Sequence, residues 1–232
     1  MARLPRLSIA GQLHHVLWRS NGALAVFVDE EDRQTFLRLL IQQTRLHGLC
    51  LHAWALMPDH LHLLVTPQQA NDLSVALQAV GRVYVPYYNR RHGHRGTLWE
   101  GRFRSTILEA SRWMLPALIW LDTHPYRSGW SVEPGAHSYT SAAHYLGLHH
   151  ERALTTPPQY WALGNTPFAR EAAYRTILEQ GLDDASRQAL TQAALKGWVL
   201  GSPQFVAELQ KNAARRLTQT QPGRPSLHTS KP

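Results

Sequence analysis

Met57-Pro58-Asp59-His60-Leu61-His62-Leu63-Leu64-Val65 is a run in which apolar residues alternate as they do along a β-strand. At a period of two, His60 and His62 leave the same face of that strand. Two imidazoles side by side on a rigid element are a ready ligand pair for a divalent cation, with a third ligand to come from elsewhere in the fold. In a chain with 14 histidines, an HxH pair is by itself more often a surface or core feature than a site, so its surroundings decide. Just upstream, Leu49 to Met57 reads as another strand, and the tight Pro58-Asp59 turn joins the two into a hairpin.

Working outward, Leu13 to Arg19 reads as a first strand and Asn21-Gly22 as a turn. Residues 29–46 place Phe36, Leu37, Leu39, Leu40 and Leu46 at helical spacing, with acidic residues in the first turn, and Gly48 stops the helix. Asn71 to Asn89 predicts a second helix, capped by Asn71 or Asp72 and kinked near Pro86. A basic, glycine-containing loop over residues 90–96 leads to a fourth strand at Phe103 to Leu108, then to a helical stretch ending at His124-Pro125. This βαββαβα order predicts an α+β, ferredoxin-like sheet with its helices on one face. Residues 148–158, with Pro157-Pro158, read as a joint. Beyond it, segments 167–181, 184–197 and 202–216 are helical in pattern, the last opened by Ser202-Pro203. We therefore expect a domain over 1–150, a C-terminal helical extension over 151–216, and a disordered tail over 217–232 that carries Pro222, Pro225 and Pro232.

A formal charge of +8 points to an anionic partner, and nucleic acid is the commonest. Apart from Lys196, Lys211 and Lys231 the positive charge is arginine, whose planar fork matches phosphate. The single cysteine, Cys50, excludes an internal disulfide and is expected as a buried thiol. No stretch approaches the roughly 18 apolar residues of a membrane span. The start, Met1-Ala2-Arg3-Leu4-Pro5-Arg6, lacks an apolar signal core, so a cytoplasmic location is expected.

Four separated blocks resemble the HUH single-tyrosine transposases, especially their REP-associated branch: His14 to Arg19; Phe27 with Asp29 to Arg33; Pro58 to His62; and Leu98 to Ser105, with Trp99-Glu100-Gly101-Arg102. The resemblance covers roughly residues 8–147 and implies the same ferredoxin-like HUH domain. It implies cleavage of one DNA strand by a tyrosine hydroxyl, with a divalent metal, magnesium or manganese, held by His60 and His62. It also implies a single-stranded DNA partner folded as a hairpin, and relatives include both monomers and dimers.

One block departs from the family. Where the resemblance places the tyrosine, five residues before a proline, Trp120-Leu121-Asp122-Thr123-His124-Pro125 carries Trp120, and an indole cannot form the phosphoester. Four residues on, where the family carries an amide, stands His124, one helical turn away and suited to be a third metal ligand or simply to end the helix before Pro125. Tyr126 is a substitute nucleophile only along a different backbone path, and Tyr84, Tyr87 and Tyr88 lie on the earlier helix. Pro116 is awkward within the presumed nucleophile helix.

Arg82, Arg90, Arg91, Arg95, Arg102 and Arg104, interleaved with Tyr88, Trp99 and Phe103, predict phosphate clamps beside faces on which unpaired bases stack. Gly223-Arg224-Pro225 resembles the minor-groove core of an AT-hook. Against a ferredoxin-like protein of another role, with structural histidines, stand the four matching blocks, and two functions remain open beside it. One is hairpin binding with metal-assisted nicking and rejoining; the other is a nucleic-acid-binding descendant that has lost covalent cleavage because Trp120 replaces the tyrosine.

Overall fold

The computed structural model describes residues 7–213 and 216–218. Four antiparallel strands, β1 (Leu13–Arg19), β2 (Leu49–Met57), β3 (His60–Pro67) and β4 (Arg104–Leu108), form one sheet in the order β2-β3-β1-β4. This is the ferredoxin-like arrangement expected. Helix α1 (Glu30–Leu46) opens on Asp29, whose side chain accepts from the Asp32 amide. It ends at Gly48, whose φ of +61° suits the reversal into β2. Helix α2 (Asp72–His92) runs on through Pro86 and stops at the left-handed Gly93.

The hairpin is as expected, with Met57 paired to His60, and it carries one irregularity. A bulge at His52 shifts the alternation of β2, so that Leu51, Trp54 and Leu56 face one layer while Ala53 and Ala55 face the other. The His52 ring anchors the bulge to the Thr155 carbonyl and to Thr66 Oγ1. Cys50, expected buried, is half-buried on this edge strand.

The expectation of helices on one face holds only for α1 and α2, which pack on Val16, Trp18, Leu61, Leu63 and Val65. The opposite face, carrying Ala53, Ala55 and Leu64, is covered by α3 (Ala110–Asp122) and by elements after it. These are the short α4 (His124–Arg127), α5 (Ala142–Tyr145) and α6 (Pro158–Trp161), then α7 (Pro167–Gln180) and α8 (Asp184–Lys196). The physical reason is that Ala53, Ala55 and Leu64 are apolar, so both sheet faces must be buried. The region expected as a C-terminal extension therefore packs on the sheet: Thr106 Oγ1 donates to the Ala193 carbonyl at 2.7 Å, and Leu200 pairs with Leu108.

Helix α9 (Pro203–Asn212) is shorter than the predicted 202–216. Leu217, expected to begin the disordered tail, is fully buried in a small cluster with Leu7, Ile107, Val199 and Leu209. Its amide donates to Gln210 Oε1 and its carbonyl accepts from Val199. The rest of that tail from residue 219, including Gly223-Arg224-Pro225, and the N-terminal six residues lie outside the described residues. Among the described residues, no helix is long and apolar enough to cross a membrane.

Candidate metal centre and nucleic-acid interface

On β3 the alternation puts His60 and His62 on the α3 side of the sheet, while Leu61 and Leu63 point to α1 and α2. Helix α3 absorbs Pro116 in its interior and continues to Asp122, so it delivers Trp120 and then His124 to the same spot. One ring nitrogen each from His60, His62 and His124 lies within 4.8 Å of the others. The sequence-predicted trio is thus brought together.

Hydrogen bonds set the tautomers. The Asp59 carboxylate accepts from His60 Nδ1 at 2.7 Å, which leaves the His60 Nε2 lone pair free. His124 Nε2 stands 2.8 Å from that atom and donates to it, and His124 Nδ1 faces an Arg127 amino group at 3.4 Å. A proton is therefore shared between two nitrogens 2.8 Å apart, somewhat closer than adjacent tetrahedral ligands of one cation, which sit about 3.3 Å apart at metal–nitrogen lengths near 2.05 Å. The donor set fits a divalent metal. A cation on His124 Nε2 would move that ring's proton to Nδ1, and the long Arg127 contact would have to open.

Burial keeps the His62 and His124 imidazoles neutral, which is their ligand form. Desolvation, with His15, His124, His60 and Arg127 nearby, holds His62 well below the ordinary histidine range. His124 falls to about 3, through burial and then through His60 and Arg127. His15 falls to about 4 through burial alone.

His15 was not singled out from sequence, although its place on β1 between Leu13 and Leu17 puts it on the same sheet face. Its Nε2 lies 3.0 Å from His62 Nδ1, so it fixes the orientation of the His62 ring. Asp59 was read only as part of the hairpin turn, and Arg127 was not singled out. Arg19 is exposed and paired in register with His60.

These burials have a pH consequence. The unfolded chain takes protons on histidine near 6.5, whereas His14 and His15 in the fold refuse them until about 4 and His124 until about 3. Their contribution is complete above pH 6.5 and is lost as pH falls toward 4. Asp122 acts in the opposite sense. Burial lifts its carboxyl to about 7 despite donation from Tyr174 and Ser141, so its contribution is present below 3.8 and lost as pH rises through about 7. The histidines outnumber it, and we expect the melting temperature to fall steadily between pH 6.5 and 4.5. A melting temperature that holds constant across that window would contradict neutral, buried imidazoles.

Trp120 fills the place that the resemblance gives to the nucleophile. It is 5% exposed, stacks on His124 (5.2 Å between centroids, 20°), and meets His62 edge-on at 4.8 Å. Tyr126 lies apart from the cluster in this geometry. It is exposed on α4 and lines a cavity shared with α7 and α8, and among the described residues no hydrogen bond or ring contact joins it to the three histidines. Tyr84, Tyr87 and Tyr88 belong to α2, on the other side of the sheet. The hydroxyls of Tyr84 and Tyr88 are spent on the carbonyls of Val26 and Ala25.

Among the residues expected to hold DNA, Trp99 needs correction. It is 4% exposed and stacks on Trp18 at 4.2 Å and 22°, so the ring belongs to the core and offers no open face to a base. Arg91 is committed to Asp29, Glu31 and the fully buried Asp32, which makes it a structural clasp between α1 and α2. Arg104 donates to the Leu195 carbonyl while remaining exposed. Arg82, Arg90, Arg95 and Arg102 are exposed. The loop bearing Arg95 and Arg102 sits at the sheet end where β1 finishes and β3 begins, since Ser20 pairs with Trp99 and Arg19 with His60. The basic loop and the histidines therefore share one end of the sheet.

An antiparallel ferredoxin-like sheet with paired histidines on a strand facing a helical histidine makes a candidate metal centre. The family model described as Transposase IS200 like matches residues 9–114, ending ahead of Trp120 and His124. The same fold occurs in a REP-associated tyrosine transposase solved bound to a REP hairpin, at a TM-score of 0.53 and 14% identity, covering 68% of this chain and 99% of that one. A candidate transposase from Deinococcus radiodurans R1 is similar at 22% identity over 56% of this chain and 98% of that one, with a TM-score of 0.35. No curated protein matches the sequence.

Proposed function

We propose that this protein binds single-stranded DNA folded as a hairpin, holds a divalent cation, magnesium or manganese, on His60, His62 and His124, and forms no covalent link through position 120. The observation that carries this reading is the indole of Trp120, packed on His62 and His124 where a phenol would have to stand. A bound cation would supply Lewis-acid polarisation of a phosphodiester. The chain's own groups would do the rest. Asp59 and His15 orient the ligating rings, and the exposed arginines of the 90–104 segment neutralise the backbone. The match of residues 9–114 to the IS200-like transposase model and the fold shared with a protein solved on a REP hairpin support the choice of partner.

The second reading keeps nicking and rejoining, and the retained histidine cluster favours it. It requires a nucleophile that reaches the cluster by a conformation other than this one.

Fluorescence anisotropy with a labelled hairpin, its linear single strand and a blunt duplex tests the partner. We expect the hairpin to bind most tightly and affinity to fall steeply with salt. Arg95→Ala and Arg102→Ala should each weaken binding and lower the salt slope by about 0.7 to 0.9. Trp99→Ala should instead destabilise the fold by about 3–5 kcal/mol, the cost of emptying a core indole site. A salt-independent affinity would reject the phosphate-clamp reading.

A further inference from the structure

We propose that Arg127 and Arg187 form an anion subsite beside the histidine cluster, built to take one phosphate group. The inference deepens the reading above, and rests on it only in assigning that phosphate to a nucleic-acid strand.

Arg127 is the last residue of α4. Its guanidinium lies over the Trp120 ring at 5.1 Å, one amino group donates to the Trp120 carbonyl at 2.9 Å, and the other donates to Thr123 Oγ1. Every partner is neutral, and among the described residues no carboxylate pairs with it. A guanidinium withdrawn from water without a counter-anion is unfavourable, and an arriving anion would relieve that cost.

The side chain also lines a cavity of about 170 Å³ between α4 and the turn joining α7 to α8. Arg187, from the first turns of α8, lines the same cavity, as do Thr123 and Tyr126. Two guanidinium forks beside the Tyr126 side chain are a phosphate-recognising set, the Thr123 hydroxyl being spent on the Ile119 carbonyl. The charges opposing an anion are Glu179, the acidic side chain in the lining, and Asp184, which pairs with Arg187 at the exposed rim. Through His124 Nδ1, 3.4 Å from Arg127, the subsite adjoins the candidate metal ligands. A strand phosphate held here would lie one side chain from the histidines.

The test compares wild type with Arg187→Gln, Arg127→Gln and Glu179→Gln. Arg38→Gln, an exposed arginine on α1, controls for the loss of one charge. Hairpin affinity is measured across a salt series, and thermal protection by inorganic phosphate is measured on the same proteins. We expect Arg187→Gln to weaken hairpin binding roughly three- to tenfold and to lower the salt slope by about 0.7, the value for one single-strand phosphate contact. Glu179→Gln should tighten binding, and Arg38→Gln should leave the slope unchanged. If Arg127→Gln melts, Arg187→Gln and Glu179→Gln still decide. Wild-type affinity and slope in both of these would overturn the subsite while leaving DNA binding intact. Protection by inorganic phosphate that is lost in Arg187→Gln, in a protein that binds no DNA, would uphold the subsite and discard the nucleic-acid reading.

Discussion

Incubated with a 5′-labelled hairpin and manganese, the unmodified protein should leave no covalently attached DNA at position 120 on a denaturing gel. Transesterification needs a hydroxyl that can become an ester oxygen, and indole nitrogen offers none. Trp120→Tyr is the informative change. Helix α3 runs unbroken past Pro116, so position 120 remains one turn from His124 and against His62, and a phenol placed there would begin beside the ligating rings. We expect the substitution to produce a metal-dependent adduct, and a further His60→Ala change to abolish it. Its yield should be modest. Trp120 is 5% exposed and caps the cluster together with Arg127, and near-attack geometry tolerates little displacement. An adduct in the unmodified protein, mapped by mass spectrometry to Tyr126 or to Tyr84, Tyr87 or Tyr88, would overturn the inactive reading and restore a strand transferase.

The strands, the hairpin and the histidine trio were legible because each depends on short-range periodicity. A period of two fixes the face of His60 and His62, and a spacing of four fixes Trp120 against His124. His15 was legible by the same rule, since it alternates with Leu13 and Leu17 on a strand already recognised. What stayed hidden depends on distant partners. Arg91 looks like a free phosphate clamp until Asp29 and Asp32, far away in sequence, are seen to hold it. Trp99 among arginines suggests a stacking face, yet Trp18 from the first strand takes its ring. The covered second face was masked by the bulge at His52, which takes Ala53 and Ala55 out of simple alternation. Only the return of α3 and α8 across Ala53, Ala55 and Leu64 reveals it.

The other large effect expected is on metal affinity. Manganese or cobalt titrated into the wild-type protein should bind one site, and His60→Ala and His62→Ala should each remove binding measurable by calorimetry. The three candidate ligand atoms already lie within 4.8 Å of one another, so little reorganisation opposes binding. Protons compete weakly at two of them, because His62 is held well below its ordinary range and His124 is lowered to about 3; both are neutral at pH 7. His124→Ala separates a ligand from a helix-ending residue. As a ligand its loss should weaken binding by well over tenfold, whereas a residue that merely closes α3 would leave affinity unchanged. Asp59→Ala probes the next layer: without the carboxylate that holds His60 Nδ1, affinity should fall about 10- to 100-fold with the fold intact. Equal affinity in wild type and in the His60→Ala, His62→Ala double variant would sink the metal centre. The histidines would then be a hydrogen-bonded cluster, running from Arg127 through His124 and His60 to Asp59, whose role is to brace α3 against the sheet.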